Sequence, residues 1–157
     1  MCEVPGIREV LKDEPQKLDQ FVCHLADCVV LTHDKKLLLQ RRPENWGSSP
    51  GKVNIFGGHV EKDETITEGL IREIKEELGA APKIEDLKFI GSISEDFTDH
   101  TELVHVYFWH DRENKITGCY EAEPIYFENA AQAIAHPKIM EYSVWALKKC
   151  LAHDLIP

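Results

Sequence analysis

The sequence predicts an α/β (α+β) domain, and three observations carry that expectation. Ile66, Leu70, Ile74 and Leu78 recur every fourth residue and make one apolar ridge along a helix over 65–78, which Gly79 stops. Short runs rich in Val, Ile, Leu and aromatic residues stand on both sides of that helix, at 21–32, 37–40, 53–56, 87–93 and 102–109, and read as strands bounded by polar turns. Residues 137–152 place Ile139, Tyr142, Val144, Trp145, Leu147 and Leu151 at amphipathic spacing, a closing helix.

The elements follow in chain order. Residues 1–20 are polar, with Ile7, Val10 and Leu11 spaced for one short helix between Pro5 and Pro15, an extension packing on a domain formed by 21–157. The strand at 21–32 turns through His33-Asp34-Lys35-Lys36 into its partner at 37–40. Arg41 and Arg42 end that partner; they serve either as phosphate contacts or as a solvated strand end. In the following loop Ser49-Pro50-Gly51-Lys52 suits a type II turn, and Trp46 either stacks on a nucleobase or covers the core.

The strand at 53–56 runs into Gly57-Gly58, where missing Cβ atoms let the backbone approach an ion or a phosphate closely. Beyond the helix, the strand at 102–109 is apolar on both faces and belongs near the sheet centre; its His105 reads as a structural side chain. An acidic loop at 94–100 precedes it. A further strand is expected within 116–126, interrupted at Pro124 and carrying Glu121 and Glu123, and Asn129 can cap a short helix through Ile134.

The chemistry concentrates on the 65–78 helix. At about 100° per residue, Glu73, Glu76 and Glu77 fall within roughly a 100° arc beside the apolar ridge. Like charges at these spacings repel, and such a strip calls for a cation. Hard carboxylate oxygens suit Mg²⁺, with Mn²⁺ a second choice.

The 23 residues from Gly58 to Ala80 resemble the signature of the Nudix hydrolases, G-x5-E-x7-R-E-U-x-E-E-x-G-U, with U a bulky aliphatic residue. Gly58, Glu64, Arg72, Glu73, Ile74, Glu76, Glu77 and Gly79 stand where that pattern asks. Ala80 is small for the last aliphatic position, and Phe56 stands where many relatives carry Pro; neither change touches a chemical group. The resemblance covers 21–152 and implies the Nudix fold, a mixed β-sheet sandwiched between α-helices.

It also implies an activity, hydrolysis of a nucleoside diphosphate linked to another moiety, and a site. Glu73, Glu76, Glu77 and the Gly57 carbonyl would hold the divalent ion, and Arg72 would tie Glu64 to the helix and so fix those ligands. In several relatives a glutamate outside the signature completes the metal shell or acts as base; Glu121 is the candidate here. The base itself stays open among Glu73, Glu76 and Glu121.

No nucleotide-subgroup marker is visible, Glu95 standing where a Pro or Tyr would mark one, which leans toward a (deoxy)nucleoside triphosphate. Nucleotide sugar or ADP-ribose pyrophosphatase and a non-catalytic nucleotide-binding module are the alternatives. Binding modules usually lose a signature glutamate, and this chain keeps all of them. The isomerase chemistry known on a related fold is disfavoured by the intact Arg72-Glu73 and Glu76-Glu77 pairs.

Composition sets the outer bounds. At 157 residues the chain is expected to form one domain. A net charge of −10 argues against a nucleic-acid polymer, which asks for a basic face, but allows a small nucleotide or other diphosphate held through a metal. Five cysteines without C-x-x-C spacing read as free thiols. No membrane segment is apparent, so the expectation is a cytoplasmic protein, compatible with a homodimer.

Overall fold

A computed structural model describes residues 3–10, 23–47 and 49–157. Eight strands form one mixed sheet: β1 (Ile7–Val10), β2 (Cys23–Leu31), β3 (Leu37–Arg41), β4 (Val53–Asn54), β5 (Phe56–His59), β6 (Lys88–Glu95), β7 (Glu102–His110) and β8 (Glu123–Phe127). The order is β1-β6-β7-β2-β3-β4, with β5 also paired to β2 and β8 to β3. β7 therefore lies inside the sheet, parallel to β2 over its whole length, as its two apolar faces demand.

Helices cover both faces. Along β2, Ala26, Cys28 and Val30 pack with Leu70, Ile74 and Leu78 of α1 (Ile66–Leu78), while Val29 and Leu31 pack on the other side with α2 (Ala130–Ile134) and α3 (Glu141–Ala152). Period-two alternation thus sends one strand's side chains into two cores. Thr65 caps α1 by accepting from the Glu68 N–H at 3.2 Å, and Gly79 ends it at a φ of 74°.

Tertiary pairing overrides several local expectations. Ile7–Val10 is an edge strand, not a short helix: Ile7 to Val10 pair antiparallel with Glu95 to Ser92 of β6, whose free edge supplies hydrogen bonds that an isolated turn cannot match. Leu11 and Pro15 lie outside the described residues.

The strand expected over 116–126 begins only at Glu123. The donors of Thr117 and Tyr120 go instead to the carbonyls of Leu78 and Glu77, capping the end of α1. Glu121 therefore sits on the bend before β8, not on a strand. Pro124 is tolerated inside β8, opposite Gln40. The closing helix starts at Glu141 because residues 138–140 bond to Val53: Val53 N–H donates to the Lys138 carbonyl and Met140 N–H to the Val53 carbonyl. The run at 53–56 divides at Ile55 into β4 and β5.

Candidate active site

The paired glycines and α1 build the site between them. Gly57 has a φ of 146°, and a Cβ there would collide with the Asp27 carboxylate and the Ala26 carbonyl. A Cβ on Gly58 would come within 2.6 Å of the Glu73 carboxyl carbon on the opposite face. Each missing Cβ thus lets a carboxylate lie against the β5 backbone, Asp27 on one side and Glu73 on the other.

The three helix carboxylates occupy very different environments. Glu77 is 3 % exposed; its Oε1 accepts from the Gly57 N–H and its Oε2 from Gln40 Nε2, both at 3.0 Å. Burial, with Glu73, Asp27 and Glu121 nearby, pushes its pKa up to about 9 against the help of Gln40. Burial also raises Glu73, although Arg72 opposes it. Glu76 keeps 47 % of its side chain in solvent and leans toward Arg72 Nη1 at 3.3 Å.

Arg72 is the hub of the remaining bonds. Its Nε and Nη2 grip Glu64 in a fork, its Nη1 reaches Glu73 Oε1 at 2.9 Å, and its Nη2 also donates to the His59 carbonyl at 3.0 Å. The repulsion expected along the helix is therefore partly answered from within the motif. Glu64, gripped by Arg72, is held below the usual carboxylate range.

A cavity of about 300 Å³ brings together Gly57, Arg72, Glu73, Glu77 and Glu121 with Arg42 and Trp46. Arg42 lies 5.5 Å from the Trp46 ring, over its face. Glu64, Glu76 and Arg41 are not in the lining; Arg41 pairs with Glu44 at 3.5 Å. A neighbouring cavity of about 360 Å³ shares Arg42, Trp46, Gly57, Gly58 and His59 and runs on to Asp27, Asn54, Glu95 and Tyr142. Burial and the Glu95 charge hold Asp27 well above its ordinary pKa; burial and the Glu102 charge bring Glu95 up to about 7.

Gln40, Asp27 and Asn54 escaped the sequence reading. Each is a buried polar residue inside an apolar strand run, and that contrast is the signal that could have found them. Asn54 donates to the Tyr142 hydroxyl at 2.6 Å, and its Oδ1 has no hydrogen-bond partner.

The donor set fits a hard divalent cation. Glu73, Glu77 and Glu121 supply only oxygen, and burial, with the Glu73, Asp27 and Glu121 charges adding to it, raises Glu77 to about 9, a cost that a bound cation would relieve. The oxygens of Glu73, Glu76 and Glu77 do not converge as a closed cage, because Glu77 turns down to Gly57 and Gln40 while Glu76 is drawn to Arg72.

A mixed sheet between helices that sets one helix's carboxylates against a paired-glycine strand defines the Nudix class. The chain belongs to the Nudix family of pyrophosphohydrolases, which act on phosphorus-containing acid anhydrides: the NUDIX domain pattern matches residues 24–144. It is 32% identical over 110 residues to an oxidized purine nucleoside triphosphate hydrolase of Danio rerio, covering 69% of this chain and 68% of that one.

To an ADP-ribose pyrophosphatase of Methanocaldococcus jannaschii it is 35% identical over 82 residues, 51% of this chain and 47% of the relative. The chain therefore spans about half of that protein's length. Among solved structures, the MutT protein of Methanosarcina mazei Go1 superposes with a TM-score of 0.68 at 20% identity, covering 83% of this chain and 94% of that one, a likeness of fold.

Proposed function

We propose that this chain is a Mg²⁺- or Mn²⁺-dependent pyrophosphohydrolase of a (deoxy)nucleoside triphosphate, acting in the cytoplasm through a domain over 21–157. The observation that carries the reading is the pair of joined cavities: one is lined by Glu73, Glu77, Glu121 and two arginines, the other by Asn54, Asp27 and Tyr142. The first suits a metal-bound polyphosphate and the second a nucleoside. The hydrogen-bonded Asn54 and Tyr142 give the second cavity a polar wall, and Trp46, 38% exposed between the two, offers a stacking face.

Glu73, Glu77 and Glu121, with the Gly57 carbonyl and Glu76, would hold the ion. When bound, the ion supplies positive charge against the diphosphate and activates the attacking water. Arg42 contacts phosphate, and Arg41 adds positive charge at the end of β3. Arg72 holds Glu64 and Glu73 in place, and a carboxylate among Glu73, Glu76 and Glu121 takes the proton from the attacking water as one P–O bond breaks.

A second reading, ADP-ribose pyrophosphatase, is supported by the 35% identity to a relative of that name. A panel of nucleoside triphosphates, ADP-ribose and nucleotide sugars assayed with Mg²⁺ separates them. Pyrophosphate release from triphosphates is expected; turnover confined to ADP-ribose would select the second reading, and no turnover at all would make the chain a binding module.

A further inference from the structure

The register of three neighbouring strands gathers a thiol, an imidazole and a carboxylate on the sheet face turned away from α1. Cys23 of β2 stands opposite Glu102 of β7, and Leu25 of β2 stands opposite His59 of β5. Side chains two apart on a strand share a face, so Cys23, His59 and Glu102 all lie on the face of Leu25, while Ala26 and Cys28 point toward α1. The donor atoms of the three side chains lie within 4.8 Å of one another. His59 is exposed and the other two are half-buried, so solvent reaches the cluster.

We propose that Cys23, His59 and Glu102 form a second metal site, separate from the Glu73/Glu77 cluster, for a borderline-soft divalent ion of the zinc class. One sulfur, one nitrogen and one oxygen donor make a three-residue zinc set, with water in the fourth position. Bond lengths of about 2.0 to 2.3 Å place tetrahedral donors roughly 3.3 to 3.7 Å apart, so side-chain rotation need close the cluster by at most about 1.5 Å. The two sites sort ions by softness. The α1 cluster offers only oxygen and suits Mg²⁺, whereas thiolate and imidazole favour zinc.

An ion here ties β5, β2 and β7 together. It also borders the larger cavity, which His59 and Glu102 help to line. His59 follows Gly58 directly, so the two metal sites sit on opposite faces of one strand.

The test uses the full chain, stripped of metal and then saturated with Mg²⁺ to fill the oxygen cluster, and titrated with Zn²⁺. One zinc per chain should survive dialysis against Mg²⁺ buffer. Free Zn²⁺ at a hundredfold excess over Kd should raise Tm by about 5 to 10 °C. Co²⁺ in its place should give thiolate-to-cobalt absorption.

Cys23→Ala should abolish that absorption, and His59→Ala and Glu102→Gln should each weaken zinc binding at least about tenfold. Cys119→Ala and Glu76→Gln should leave zinc binding intact. As a check needing no substitution, Zn²⁺ should protect Cys23 of the parent chain from alkylation. Zinc retained by Cys23→Ala, zinc lost in Glu76→Gln, absorption that follows Cys119, or no binding in the presence of Mg²⁺ would each overturn the proposal.

Discussion

Arg72 holds Glu64 side-on through two parallel bonds, Nε to Oε2 at 2.7 Å and Nη2 to Oε1 at 2.9 Å. Only a planar fork makes that contact, and the same guanidinium still reaches Glu73, Glu76 and the His59 carbonyl. Arg72→Lys keeps the charge and loses the fork. Steady-state kinetics should show kcat reduced about 10- to 100-fold with a smaller change in KM. A rise in KM alone would make Arg72 a substrate ligand.

Metal removal should silence the enzyme. Excess EDTA is expected to abolish nucleotide hydrolysis and added Mg²⁺ to restore it, because the acidic cavity otherwise repels a polyphosphate. Full turnover in EDTA, unchanged by Mg²⁺, would exclude the metal reading.

Glu77 makes stability depend on pH in a defined direction. Its folded pKa of about 9 stands above the ordinary 4.5, so the metal-free fold prefers the protonated acid. That contribution is complete below about 4.5 and is lost as pH rises through about 9. Metal-free Tm should therefore fall between pH 7 and 9, by at most about 1.4 kcal/mol of stability per pH unit for one proton. Mg²⁺ needs the ionised carboxylate, so the Tm rise it produces should grow over the same range. Melts at fixed salt with EDTA and with Mg²⁺ check both slopes, and a flat metal-free curve would contradict the burial argument.

Gly58→Ala isolates the placement of Glu73. The new Cβ would meet the end of a flexible side chain at 2.6 Å, so the fold can yield by moving that carboxylate. Circular dichroism should stay native with little change in Tm, while kcat falls at least about tenfold. Unchanged turnover would mean that the position of Glu73 is not critical.

Trp46 should report nucleoside binding. It is 38% exposed, whereas Trp109 and Trp145 are buried, so a bound base that stacks on it should quench the accessible fluorescence. Trp46→Ala should remove the quench and raise KM by about 5- to 150-fold, corresponding to about 1 to 3 kcal/mol for one stacked base. A nucleotide that binds without quenching would move the base elsewhere.

By itself the sequence determined what depends on neighbours along the chain. The α1 ridge, the Gly79 stop and the Asn129 cap all lie within a few residues, where periodicity and side-chain reach act directly, and the Arg72–Glu64 tie was legible through the resemblance to the Nudix signature. Tertiary structure decided everything that requires a partner distant in sequence. β1 is a strand because β6 offers it an edge, and Glu121 reaches the cavity because Thr117 and Tyr120 cap α1.

Glu76 and Glu77 are adjacent and chemically identical in the sequence. Gln40 and the Gly57 N–H bury one of them with a raised pKa, and solvent keeps the other exposed. Helical spacing fixes the direction in which a side chain leaves its helix. The surface that meets it, and hence the dielectric and charge it experiences, comes from β3 and β5, and only folding brings those strands to α1.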